Sequence, residues 1–114
     1  MKVINRIKAS QDFAQAIKKG RTYRSKSFII HILKTNNSYA RVGLSVSTKV
    51  GNAVVRNRVK RQIRSMCDEV IDYSTNTFDL VIIAKKDFLD LSYQDNKSQL
   101  SDLLLKQVGF INEK

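Results

Sequence analysis

Apolar positions recur along the chain with two different periods, and the switches between them mark its elements. From Ser10 to Gly20 the segment SQDFAQAIKKG sets Phe13, Ala14 and Ile17, with Ala16 beside them, along one side of a short helix that Ser10 can cap and Gly20 ends. Residues 27–34, SFIIHILK, change to period two. Phe28, Ile30 and Ile32 alternate with Ile29, His31 and Leu33, and two apolar faces predict a central or covered strand. TNNSY, residues 35–39, reads as a hairpin turn into ARVGLSVS, residues 40–47. There Val42, Leu44 and Val46 face one way and Arg41, Gly43, Ser45 and Ser47 the other.

The helical period then returns. Val55, Val59, Ile63, Met66 and Val70 share one face of a helix predicted from its N-cap Asn52 to about Asp72. After the polar break YSTNT comes FDLVIIAKK, the strongest buried-strand signal of the chain. Further on, Ser92 with Asp95 resembles a capping box, and Leu100, Leu103, Leu104 and Val108 repeat at helical spacing before Gly109. RTYRSK, residues 21–26, reads as a loop, and residues 1–9 as an extended basic arm. The expected fold class is α+β, a sandwich in the order α-β-β-α-β-α. Its middle strand, helix and strand predict a crossover with parallel pairing. With no proline, repeat or low-complexity linker, residues 1–114 are expected to form a single domain.

Charge changes this picture from a generic sandwich to a surface with a purpose. The stretch Lys49–Arg64, KVGNAVVRNRVKRQIR, holds six basic residues and no acid. On the predicted helix Arg56, Arg58, Lys60, Arg61 and Arg64 fall opposite the apolar stripe. A merely solvated face usually mixes signs as i,i+4 pairs; this one does not, so an external anion is expected to compensate it. The bias is regional. Between Phe13 and Cys67 there are thirteen Lys or Arg and no Asp or Glu, whereas residues 68–114 carry nine acids against five bases. One strongly basic portion supplied with Phe13, Tyr23, Phe28 and Tyr39 fits nucleic acid. A lipid surface fits less well, because the helix turns its apolar stripe to the core and offers no aromatic wedge. The glycine and serine face of residues 40–47, beside that helix, suits the floor of a groove, since small side chains let another backbone approach.

Catalytic chemistry is hard to assemble from these residues. The chain has no phosphate-cradling glycine motif, and its single cysteine, Cys67, has no histidine near it in sequence. His31 lacks ligand companions for a metal and reads as a packed histidine. Asp68, Glu69 and Asp72 are the available carboxylates for a metal nuclease, at the far end of the basic helix. No catalytic residue and no protein metal site is assigned, and the polypeptide alone is expected to be inactive. The N-terminal segment lacks a signal-peptide core, and no apolar run is long enough to span a bilayer, so a cytoplasmic protein is expected.

The segment RVGLSVSTKVGNAVVRNRVKRQIR, residues 41–64, resembles the signature of the protein subunit of bacterial ribonuclease P. It carries Arg56, Asn57 and Arg58 followed by Lys60, Arg61 and Arg64. Arg6, Ile7, Lys8, Asp12 and Phe13 resemble the family's N-terminal pattern, and Gly20 falls where its first helix stops. The resemblance implies a left-handed crossover, a hand opposite to the general expectation. It implies that the protein binds a catalytic RNA and the 5′ leader of precursor tRNA, assisting a Mg²⁺-dependent hydrolysis carried out by the RNA, with no obligate protein partner. Arg56, Asn57, Arg58, Lys60, Arg61 and Arg64 would meet the catalytic RNA. Phe13, Ile17, His31, Ser47, Thr48, Lys49, Asn52 and Lys85 would line the leader groove. Ile17 and His31 stand where relatives commonly offer aromatic rings, which implies less base stacking on the leader. The competing class is a structural ribosomal or translation-associated RNA-binding protein without a processing role.

Overall fold

Phe78–Ala84 is apolar on both faces, and in the computed structural model, which describes residues 1–74 and 77–105, it takes the position such a run demands, between two other strands. The strands are β1 (Arg21–Arg24), β2 (Phe28–Lys34), β3 (Arg41–Val46) and β4 (Phe78–Ala84), and the sheet order is β1-β2-β4-β3. β2 pairs antiparallel with β1 and β4, and β3 pairs parallel with β4. The helices are α1 (Ser10–Lys19), α2 (Ala53–Val70) and α3 (Tyr93–Leu105), with 3-10 turns at Val3–Asn5 and Lys86–Asp90. The chain is thus mixed α+β, with the expected parallel crossover from β3 through α2 to β4.

Four sequence expectations are corrected. Ser10 is the first residue of α1, not its cap; the N-cap is Ala9, with no side-chain cap hydrogen bond. RTYRSK is not wholly loop: Arg21–Arg24 forms β1, an edge strand paired residue by residue with Ile32 back to Ile29. Its polar and basic composition suits an exposed edge, which hides it from an apolar pattern. TNNSY does not close a hairpin of paired neighbours, because β4 lies between β2 and β3. The basic arm is not simply extended. It makes the 3-10 turn and then a bridge to the free side of β3, where the Ile7 amide donates to the Val42 carbonyl at 3.0 Å. The predicted run of the last helix through Val108 to Gly109 lies outside the described residues.

Strand alternation sends Phe28, Ile30, Ile32, Val42, Leu80 and Ile82 to one face of the sheet. That face meets Val59, Ile63, Met66 and Val70 of α2 and Leu100, Leu103 and Leu104 of α3 in the main core. Phe28 and Phe88 pack edge to face with centroids 5.6 Å apart. The predicted α2 stripe is therefore core, with Val55 only half-buried at its first turn. The opposite face carries rows set by the register: Thr22, His31, Val81 and Gly43 in one, Arg24, Ile29, Ile83 and Ser45 in the next. α1 lies over this face, with Ala16 buried and Phe13 half-buried. The two faces meet along the edge strand β3, with α2 on one side of it and α1 on the other.

Candidate nucleic-acid interface

The basic helix starts where its sequence says it should. Asn52 caps it, its Oδ1 accepting from the Val55 amide at 3.0 Å, and the Arg56 guanidinium folds back to donate to the Gly51 carbonyl at 2.7 Å. Arg56 therefore stiffens the turn that presents Ser47, Thr48 and Lys49, all exposed. Beyond that turn the basic arc divides. Lys60 and Arg64, half-buried, lean toward β3 and line a cavity of about 130 Å³ with Arg6, Ile7, Phe13, Val42, Gly43 and Leu44. Asn57, Arg58 and Arg61 are exposed, and Arg58 borders a different groove, with Val59, Gln62, Phe88, Leu89, Leu91 and Tyr93. Among the described residues Arg58, Lys60, Arg61 and Arg64 make no ion pair, so none of the described acids neutralises their charge.

The β3 side of the site is built around glycine. A methyl group on Gly43 would lie 2.6 Å from Cε2 of Phe13, so the ring sits directly on the backbone there. The expected close approach at this small residue is real, but a protein ring makes it. Phe13 is held in place from its neighbour Asp12. Arg41 forms a two-pronged bond to buried Asp79, Nε to Oδ1 at 2.9 Å and Nη2 to Oδ2 at 2.7 Å, and its Nη1 reaches Asp12 Oδ2 at 3.2 Å. These bonds, the Asp79 hydrogen bond foremost, hold the Arg41 guanidinium above its ordinary value. The pairing ties α1 to the sheet one row away from Phe13. Gly43 belongs to the small-residue face expected to floor a groove, whereas Ile7 and Arg41 build the site through long-range contacts; the bridge from the N-terminal arm to Val42 is a pairing with no local signature.

The remaining candidates are spread unevenly. Ile17 is 41% exposed on the same helix as Phe13. His31 is buried in the middle row, its Nδ1 2.9 Å from Thr22 Oγ1, and burial, then the charge of Arg24, hold its imidazole below the ordinary value. It is thus placed to set the floor rather than to offer an open ring. Lys85 turns its ammonium to the Ser25 carbonyl at 3.2 Å, near the connection between β1 and β2. Ser45, half-buried with Ile29 and Ile83 in the next row, extends the small and apolar floor toward Ser47.

The far end of α2 has a different character. Asp68 is engaged by the Met1 ammonium at 2.6 Å and by the Tyr73 hydroxyl at 2.9 Å, and Asp72 accepts from Ser74. Both line a roomier cavity of about 610 Å³ with Tyr39, Ile71 and Tyr73, where Lys2 and the Met1 ammonium offset the two carboxylates and leave no excess of positive charge for a polyphosphate. Among the described residues no three His, Cys, Asp or Glu side chains converge on a point that could hold a metal ion. That leaves a resident Mg²⁺ no three-ligand cluster among them. Burial pushes the Cys67 thiol far up, which keeps it an inert core side chain.

A sheet with helices on both faces, a basic helix whose Arg58, Lys60, Arg61 and Arg64 make no ion pair among the described residues, and an aromatic and glycine groove at the sheet edge define a small RNA-binding protein of the α+β type. The sequence model of the Ribonuclease P family matches residues 1–108. The Ribonuclease P protein component of Bacillus cereus (strain 03BB102) is 42% identical over 101 residues, 88% of either chain, and that of Streptococcus mutans 39% identical over 118 aligned positions, 100% of this chain and 98% of the relative. Among solved structures, the Staphylococcus aureus RNase P protein superposes with a TM-score of 0.80 at 29% identity, covering 95% of this chain and 98% of that one. The Thermotoga maritima RNase P protein does so with a TM-score of 0.78 at 28% identity, covering 91% and 98%. The chain belongs to the ribonuclease P protein family and is the protein part of an endoribonuclease.

Proposed function

We propose that this chain binds a catalytic RNA through the outward side of α2 and the 5′ leader of precursor tRNA along the β3 edge, and that the RNA performs the hydrolysis. The observation that carries this reading is the division of one basic helix. Arg58 and Arg61 with Asn57 are exposed, whereas Lys60 and Arg64 share a cavity with Phe13 and Gly43. One helix can thus touch two strands of nucleic acid at once, neutralising phosphates of each and releasing their counterions. Ser47, Thr48, Lys49 and the Asn52 turn continue the leader path from the sheet edge, with Phe13 and exposed Ile17 offering it apolar contact.

In this reading the protein lowers the repulsion between enzyme RNA and substrate RNA and holds the leader in register. Mg²⁺ in this reading belongs to the RNA. The setting is the cytoplasm, where precursor tRNA is met; among the described residues no helix is long and apolar enough to cross a membrane. Reconstitution tests the proposal: precursor tRNA is incubated at low Mg²⁺ with the protein, with a ribonuclease P RNA, and with both. Cleavage that needs the RNA and is strengthened by the protein supports it, and cleavage by the protein alone overturns it.

A further inference from the structure

A second groove beside α2 lies off the leader path proposed above. It opens between α2 and the 3-10 turn Lys86–Asp90, has a volume of about 360 Å³, and is bounded by Arg58, Val59, Gln62, Phe88, Leu89, Leu91 and Tyr93. Val59 and Phe88 form a buried floor, while Leu89 is 42% exposed. The Tyr93 ring is fixed from behind: its hydroxyl bonds Glu69 Oε2 at 2.6 Å and Ser65 Oγ at 3.0 Å. A half-buried aromatic ring so anchored is a rigid wall, and Gln62 brings an amide that can both donate and accept.

We propose that this groove takes one unstacked nucleobase of the catalytic RNA, the adjoining phosphates being held by Arg58 and Arg61. This rests on the RNA-binding reading above and assigns it a base-sized subsite. Charge selects the occupant. The α2 side of the groove carries Arg58, which makes no ion pair among the described residues, whereas the opposite turn carries Asp87 and Asp90 against the one cation Lys86, and Glu69 behind Tyr93 is paired with Lys97 at 3.4 Å. A phosphate is favoured on the first side over the second. A base has an uncharged planar face for Tyr93, Leu89 and Leu91 and polar edges for Gln62, and its own phosphate falls back toward Arg58. A lipid headgroup or a polyanionic peptide would bring negative charge to the wrong wall. RNA meets both requirements because its charge and its apolar surface alternate along the strand.

The test measures the affinity of the full chain for a ribonuclease P RNA as a function of salt. Tyr93→Ala should bind about tenfold more weakly and Leu89→Ala several-fold, the scale of losing one stacked base. The slope of log affinity against log salt should not change, because no charge is removed. Tyr93→Phe, which keeps the ring, should stay close to wild type. Leu89→Ala changes an exposed side chain and preserves the test even if Tyr93→Ala disturbs the fold. Chemical probing of the RNA should show one base whose Watson–Crick edge the wild-type protein protects and Leu89→Ala does not. Wild-type affinity in both variants, with the parent protein binding tightly, overturns the base subsite alone. Failure of the parent protein to bind the RNA overturns the reading beneath it. Reduced self-association of the variants with unchanged RNA affinity would assign the groove to a second copy of this chain and overturn the proposal.

Discussion

The ring of Phe13 rests on the backbone of Gly43, so closely that a methyl group there would lie 2.6 Å from Cε2. This one contact joins α1 to the edge strand of the sheet and sets the wall of the groove that Lys60 and Arg64 enter from the other side.

Gly43→Ala is accordingly expected to push the Phe13 ring aside. The cost should be about 1–3 kcal/mol of fold stability, typical of overpacking, together with weaker binding of precursor tRNA. Phe13→Ala removes the obstacle. In the double variant the Gly43→Ala penalty should largely vanish, and chemical denaturation of the four proteins of the cycle measures the coupling. Strict additivity would mean that the contact does not define the groove.

A second prediction concerns the clamp behind Phe13. Arg41→Leu would leave Asp79, whose side chain is 5% exposed, without its partner, and should destabilise the fold by about 3–5 kcal/mol. Asp12→Asn is milder, since Asp12 is 40% exposed, and should leave the melting temperature nearly unchanged. Its effect should appear instead in the preference for substrates with a leader, because Phe13 is no longer held from its neighbouring residue. Titrating leader length in binding assays with the holoenzyme separates these effects.

What is legible in the sequence differs by residue, for physical reasons. The α2 stripe, its Asn52 cap and its basic arc follow from local periodicity and were readable directly. The order of the sheet was not: TNNSY says that the chain turns, not which strand it returns beside, and β4 takes the centre because it is apolar on both faces. β1 escaped notice because an edge strand such as RTYR needs no apolar alternation. The glycine and serine face of β3 announced that something comes close. Only the tertiary fold identifies that partner as Phe13, which lies far away in sequence. Division of the basic arc is equally non-local, since it depends on which helix flank lies against β3.

His31 predicts a pH dependence. Its buried imidazole, near Arg24, is harder to protonate in the folded protein than in the unfolded chain. Its contribution to stability is therefore complete above the unfolded value of about 6.5 and declines as pH falls from there toward the lower native value. Melting temperatures taken at about pH 7.5 and about pH 5.5 should show a drop for the wild type and a smaller one for His31→Asn, which no longer titrates. Equal drops would indicate that His31 is protonated as readily in the fold as outside it.

If α2 serves two nucleic-acid strands with two sets of cations, the ratio of holoenzyme affinities for precursor tRNA and mature tRNA separates the two sets. Arg64→Ala should lower that ratio by about fivefold, the worth of one contact of about 1 kcal/mol. Arg58→Ala should leave the ratio unchanged, while weakening assembly with the catalytic RNA and lowering its salt slope by about one unit. If both variants reduce the ratio alike, or Arg58→Ala alone reduces it, the division of the helix is wrong.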